Sequence, residues 1–213
     1  MTTPNGSTAA WLALSLFLLY ALIGFGIRAV LHYRRTGDHG YRGFDAPRFT
    51  PAWWAGALFV IAILAALAGP VAGLLGAPNL AVLDRPWLRV LGVAVAAVGI
   101  AGTLLTQLAM GTSWRVGVDE TERTELVTSG PFAVARNPIF TVMILTAAGL
   151  TLLVPNAVAI GGLVMLVIAI QLQVRVVEEP YLIATHGAAY RNYAARVGRC
   201  VPGLGRLRGE HAA

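Results

Sequence analysis

Five apolar segments, each about as long as a bilayer is thick or nearly so, set the limits on what this chain can fold into. They cover residues 9–30, 53–75, 87–110, 138–154 and 157–177, with short polar connections between them. Hydrocarbon offers backbone polar groups no partner except their own helix or a closed barrel. Runs of this length therefore predict an all-α integral membrane protein, one membrane domain over residues 1–213, with about five transmembrane helices. The composition agrees: 57% of the 213 residues are hydrophobic and 12% are charged. The opening MTTPNGSTAA has no basic residue, and the apolar run after it exceeds a signal-peptide core, so it reads as a retained first span.

Proline and glycine punctuate the spans. Pro51, Pro86 and Pro138 open the second, third and fourth. A proline costs nothing at the first helical position, where the N–H has no helical partner. Gly69-Pro70 predicts a kink within the second span. Only Pro155-Asn156 separates the fourth and fifth spans, which predicts a tight antiparallel hairpin. The fourth span is near the lower limit of about 17 residues. Its polar entrance, Arg136-Asn137, is therefore expected beside the polar exit of the fifth span, Arg175 to Glu179, where Pro180 is expected to end the helix.

Arginine bias sets the expected orientation. All sixteen basic residues are arginine. The first loop, the third connection and the tail hold most of them, whereas the opposite side has Arg85 and Arg89 and little else. An N-terminus outside and a C-terminus in the cytosol satisfy that bias, in the inner membrane of a cell. Segments 111–137 and 178–213 then share the cytosolic face. The net charge of +6 reads as topology and anionic-lipid contact rather than nucleic-acid binding.

Both cytosolic segments carry polarity that is costly beside a membrane. Gln171, Arg175 and Glu178 are spaced i, i+4, i+7 and share one helical face. Tyr190, Tyr193 and Val197 recur at i, i+3, i+7, with Arg196 on the same short helix. Two readings stay open for each set: interfacial anchors reaching for water, or the wall of a pocket. Gly111-Thr112-Ser113-Trp114-Arg115 reads as an ordinary interface anchor. The four histidines show no ligand spacing, and the lone Cys200 excludes an intrachain disulfide, so no metal site is expected. GxSxG, Walker and GxGxxG motifs are absent, which leaves hydrolase, phosphoryl-transfer and Rossmann readings without support.

Taken in order, Leu126-Val127-Thr128-Ser129-Gly130-Pro131-Phe132, Arg136-Asn137-Pro138-Ile139-Phe140, Glu178-Glu179, Gly187, Tyr190, Tyr193, Arg196 and Pro202 resemble the isoprenylcysteine carboxyl methyltransferase family and its phospholipid methyltransferase relatives. The resemblance spans the C-terminal half. It implies S-adenosylmethionine as cofactor on the cytosolic side. It implies cofactor contacts from Glu125, Leu126, Val127, Phe132, Arg136, Asn137, Pro138, Ile139, Phe140, Glu178, Tyr190 and Arg196. Catalytic roles fall to Asn137 and to Arg175, the latter as the dock for the acceptor. Asn137 stands where the family has His, and Phe140 where it has Tyr. Asparagine hydrogen-bonds but does not titrate near neutrality.

Direct methyl transfer from a sulfonium needs neither metal nor covalent intermediate, only an in-line approach. A carboxylate such as Glu178 suits an ammonium or ribose hydroxyls, and the Phe132 and Phe140 faces suit a sulfonium. An arginine suits an acceptor carboxylate. The expected activity is a methyltransferase acting on a lipid-like or prenylated acceptor, by resemblance a carboxyl O-methyltransferase. The alternatives are a phospholipid amine N-methyltransferase, a reductase similar to membrane sterol reductases, and a non-enzymatic membrane scaffold.

Overall fold

The computed structural model describes residues 4–37, 47–110 and 126–207. Seven α-helices follow in order: α1 (Pro4–Ala21), α2 (Arg28–Thr36), α3 (Pro51–Leu74), α4 (Pro86–Met110), α5 (Pro138–Leu153), α6 (Ala157–Leu172) and α7 (Glu179–Arg196). A π-turn, Leu22–Ile27, joins α1 to α2, and a second, Gln173–Glu178, joins α6 to α7. Four helical stretches are long and apolar enough to cross a membrane: Gly6–Thr36, Pro51–Leu74, Pro86–Met110 and Ala157–Arg196. Pro138–Leu153 is a shorter apolar helix. Among the described residues there is no strand. The protein is an all-α integral membrane protein, as its apolar segments predict.

The three proline starts are in place. Pro51, Pro86 and Pro138 each occupy the first position of a helix, and the Thr50 hydroxyl accepts from the Trp53 N–H at 3.2 Å to cap α3. Pro70 lies inside α3.

Helices pair chiefly as α4 with α5 and α3 with α6, and α1 packs on α3. Lipid tails are as apolar as leucine, so membrane helices associate by close packing across small residues. Gly99 faces Thr146 and Gly149 faces Ala96 so closely that a Cβ at either glycine would lie 2.3 Å and 2.4 Å from the opposing atoms. Between these pairs lies a core of Tyr20, Ile100, Met143, Leu166 and Ile170. Large apolar side chains such as Trp11, Leu64, Val98 and Leu105 are exposed. On a bilayer protein that exposure is a lipid-facing surface.

Buried polar groups inside the bundle find acceptors on nearby backbone. Thr103, Thr146 and Thr151 donate to carbonyls one turn back on their own helices. The first π-turn offers the Gly24 carbonyl to α4, where Gln107 Nε2 donates to it at 2.7 Å.

The hairpin between α5 and α6 turns at Pro155-Asn156. Asn156 is buried, accepts from the Ala159 N–H at 2.9 Å as the cap of α6, and donates Nδ2 to the Gly69 carbonyl at 2.8 Å. The Pro155 carbonyl accepts from the Leu80 N–H at 2.8 Å, which ties the turn to the α3–α4 connection. Asn156→Ala removes the cap and leaves a buried carbonyl without its donor. It should cost about 2–3 kcal/mol, the sum of a cap and an unsatisfied acceptor, read as a lower melting temperature in detergent. A melting temperature equal to wild type would mean that the turn is held by its other contacts.

The fifth apolar segment does not end where proline is expected to end it. Helical structure runs on past Pro180 and, after a break at Gly187, reaches Arg196. The second π-turn breaks the α register just before α7, so Pro180 falls in a first turn, where a missing N–H is tolerated. Gly187 then bends α7 with φ 53° and ψ −124°, a conformation outside the range of other residue types. The bend turns the end of α7 back toward the entrance of α5.

Candidate functional site

The second π-turn decides which acidic residue faces inward. Leu166, Ile170 and Val174 are buried at intervals of four along α6 and into the turn. Continued α-helix would bring Glu178 to that position next. The wider turn advances the register by one residue, and Glu179 takes the place instead, at 7% exposure. Glu178 is half-buried beside it.

Glu179 meets the entrance of α5. Its Oε1 lies 3.0 Å from Arg136 Nη2, and the Arg136 side chain is 1% exposed. The same carboxylate receives Arg199 in a fork, Nε to Oε1 and Nη2 to Oε2, both at 2.8 Å. Hydrogen bonding from Glu179 holds the Arg199 guanidinium above its usual range, against the opposing effect of burial. Arg136 also donates Nη1 to the Tyr190 hydroxyl at 3.2 Å and Nη2 to the Gly205 carbonyl at 2.6 Å. Its guanidinium carbon lies 5.8 Å from the Tyr190 ring centroid. One carboxylate thus sits between two guanidiniums, with the half-buried Glu178 next to it in the chain.

Aromatic and backbone contacts extend the cluster. Tyr190 and Tyr193 stack edge to face at 6.2 Å, and the Tyr193 hydroxyl donates to the Phe132 carbonyl at 2.6 Å. That bond anchors the short 3₁₀ turn Gly130–Ala133 to α7. Leu126 packs against the same tyrosines. Residues 198–205 run across the α5 entrance. The N–H groups of Arg136 and Asn137 donate to the carbonyls of Gly198 and Arg199 at 2.8 and 2.9 Å. Asn137 Nδ2 donates to the Arg199 carbonyl at 3.3 Å, and the Thr141 hydroxyl to that of Cys200 at 2.5 Å. Burial pushes the Cys200 thiol above its ordinary value, which keeps it protonated and unreactive.

The residues expected at the site thus divide. Leu126, Phe132, Arg136, Asn137 and Tyr190 come together around Glu179, with buried Pro138 and half-buried Ile139 and Phe140 opening α5 beside them. Val127 and Glu178 are half-buried. Arg175 and Arg196 are exposed and bond within their own helix, Arg175 to Gln171 at 3.2 Å and Arg196 to the Asn192 carbonyl at 3.3 Å. Glu125 lies outside the described residues, as does Gly111 to Arg115. Two participants escape the sequence reading, Glu179 as the inward carboxylate and Arg199 as its second partner. A period of 3.6 misassigns Glu179, and the separation of twenty positions hides the pairing. Among the described residues no group of three or more His, Cys, Asp or Glu comes together.

An apolar cavity lies within the bundle. A cavity of about 220 Å³ opens between α1, α3, α5 and α6, lined by Phe17, Tyr20, Phe25, Met143, Leu150 and Leu166 among others. Met143 and Phe140 belong to one packed apolar cluster, so the cavity and the α5 entrance share a wall.

Comparison with known proteins gives one family. Residues 87–189, just under half of the chain, match the phospholipid methyltransferase family. The match covers α4, α5, α6 and most of α7, and it bears out the resemblance over that stretch. No curated protein matches the sequence significantly.

Proposed function

We propose, on the premise that residues 87–189 form a phospholipid methyltransferase segment, that this protein transfers a methyl group from S-adenosylmethionine to a lipidic acceptor at the membrane surface. The observation that carries the reading is the meeting of Arg136 and Glu179 inside the matched segment, which joins the start of α5 to the end of the last span. The arginine distribution supports a cytosolic site and a C-terminus on the same side.

The residues present suit such a cofactor. The half-buried rings of Phe132 and Phe140 attract a sulfonium, at roughly 0.5–2 kcal/mol each. Glu178 suits the cofactor's ammonium or ribose hydroxyls. The N–H groups of Ile139 and Phe140 lie in the first turn of α5 and lack an intrahelical partner. Together with the helix dipole they suit a carboxylate. When bound, the cofactor supplies an electrophilic methyl with a neutral thioether as leaving group. The chain has then to orient the acceptor and keep water away. The apolar cavity beside Met143 suits the acceptor's aliphatic portion, and half-buried Phe140 separates it from the polar entrance.

By resemblance the acceptor is an isoprenylcysteine-like carboxylate. A second reading, a phospholipid amine, is favoured by the family match and by the exposed position of Arg175, which leaves the expected carboxylate dock outside the cluster.

Binding of S-adenosylmethionine and of NADPH to the purified protein in detergent separates a methyltransferase from a reductase. Wild type is expected to bind the first only, and Glu178→Ala to bind it at least tenfold more weakly, a loss of about 1.4 kcal/mol. Equal binding by Glu178→Ala would remove Glu178 from the site, and binding to neither cofactor would end the enzymatic reading. Transfer of a labelled methyl group into prenylcysteine or into phosphatidylethanolamine then distinguishes the acceptors.

A further inference from the structure

Residues 198–205 lie beyond the family match, yet they supply the partners of the α5 entrance. Three successive carbonyls, of Gly198, Arg199 and Cys200, receive the Arg136 N–H, the Asn137 N–H and the Thr141 hydroxyl. The segment holds its own shape through Arg199 N–H to the Leu204 carbonyl at 2.7 Å and Leu204 N–H to the Val201 carbonyl at 3.0 Å. It is fixed to the end of α7 by Leu207 N–H to the Ala194 carbonyl at 3.0 Å.

We propose that Arg199 is a positioning residue of the methyltransferase site, and that the strap it anchors completes the entrance of α5; this rests on the function proposed above. Arg199 bridges two helices by itself. Its carbonyl accepts from Asn137 at the head of α5, and its guanidinium forks onto Glu179 at the head of α7. Carbonyls can hold the α5 entrance only while the strap is itself held; the Leu207–Ala194 bond holds its far end, and the fork on Glu179 holds it at the carbonyls themselves. The same carboxylate oxygen that receives Arg199 Nε also faces Arg136. Loss of the Arg199 guanidinium therefore loosens the strap at Gly198 to Cys200, while Leu207 still ties its far end to α7, and leaves Arg136 and Glu179 to readjust together. Ile139 and Phe140 follow Asn137 across the rigid Pro138, so their N–H groups move with it. A displacement of about 1 Å in a methyl-transfer site can cost on the order of 100-fold.

The test uses the full chain in detergent with Arg199→Ala and Arg199→Lys. Two readouts are taken: equilibrium binding of S-adenosylmethionine and hydrogen exchange at the Arg136 and Asn137 amides. Arg199→Ala should weaken binding by up to about 100-fold and speed exchange at both amides. Arg199→Lys should recover only part of each, because an ammonium cannot fork onto a carboxylate. Methyl transfer, once the acceptor is known, should lose kcat more than KM for the lipid. A folded Arg199→Ala protein with wild-type affinity and unchanged exchange overturns the proposal. Should Arg199→Ala not fold, Arg199→Lys decides: intermediate values support the strap, wild-type values overturn it. A wild type that binds no S-adenosylmethionine sinks the methyltransferase reading, while exchange still judges the strap by itself.

Discussion

Replacing Glu179 with alanine is expected to cost about 3–5 kcal/mol. The cost comes from what remains. The Arg136 side chain is 1% exposed and would lose the carboxylate it faces, as Arg199 would lose its fork. Thermal unfolding in detergent should show a large drop, or the variant should be recovered poorly. Glu178→Ala, one residue earlier and half-buried, should melt close to wild type. Equal melting of the two variants would mean that the π-turn does not select between them. The compensated variant Arg136→Met/Glu179→Leu/Arg199→Met separates stability from function. Apolar replacement of a whole buried ion cluster is often neutral or stabilising. This triple variant should melt well above Glu179→Ala and still fail to bind S-adenosylmethionine. Full binding by the triple variant would make the cluster purely architectural.

Gly149→Leu is the second large effect. A Cβ at Gly149 would sit 2.4 Å from the Ala96 backbone nitrogen and 2.6 Å from the Gly92 carbonyl oxygen. Both are backbone atoms of α4, so no side chain can turn aside. The helices must separate, which forfeits dispersion along the whole pair, and overpacking of this kind costs roughly 1–3 kcal/mol or more. Because α5 carries the site entrance at its other end, cofactor binding should fall along with the melting temperature. Gly161→Ala provides the control. A Cβ there meets nothing within 4 Å, and it should be neutral or stabilising by up to about 1 kcal/mol. A Gly149→Leu protein that melts like Gly161→Ala would show that α4 and α5 are not in backbone contact.

Much of this architecture is legible in residue types. Hydropathy over some twenty residues is insensitive to detail, so the all-α membrane fold follows from it directly. Pro155-Asn156 announces the hairpin: a proline ends one helix, an asparagine caps the next, and so short a link folds α6 back along α5. That hairpin in turn brings the polar start of α5 toward the polar end of the last span, where Arg136 and Glu179 meet. The details that escape are those with no residue-type signature. A π-turn uses ordinary helix formers, so Gln173–Glu178 reads as α-helix, and the inward acidic residue is misassigned by one. Pro180 reads as a stop because proline usually is one, and only the broken register before it lets the helix continue. The strap acts through backbone carbonyls, which every residue possesses. Its one side-chain signal, Arg199, is lost among the arginines of a tail that topology already explains. Asn137 is a mixed case. Its place in the motif is visible, but the bond of its amide to the Arg199 carbonyl is not.

The strap also imposes an order in time. The Arg136 and Asn137 side chains find their carbonyl partners 69 and 62 positions further along the chain. At about 5–20 residues per second, those partners leave the ribosome some 3–14 seconds after the helix entrance they cover. During that interval α5 can pair with α6 through the hairpin, whereas its polar entrance has only water and lipid headgroups for company. The bundle is thus assembled before its site is closed. A chain interrupted between residues 160 and 178 would carry four of its five apolar segments yet display Arg136 at the bilayer edge without the carboxylate it faces in the finished bundle.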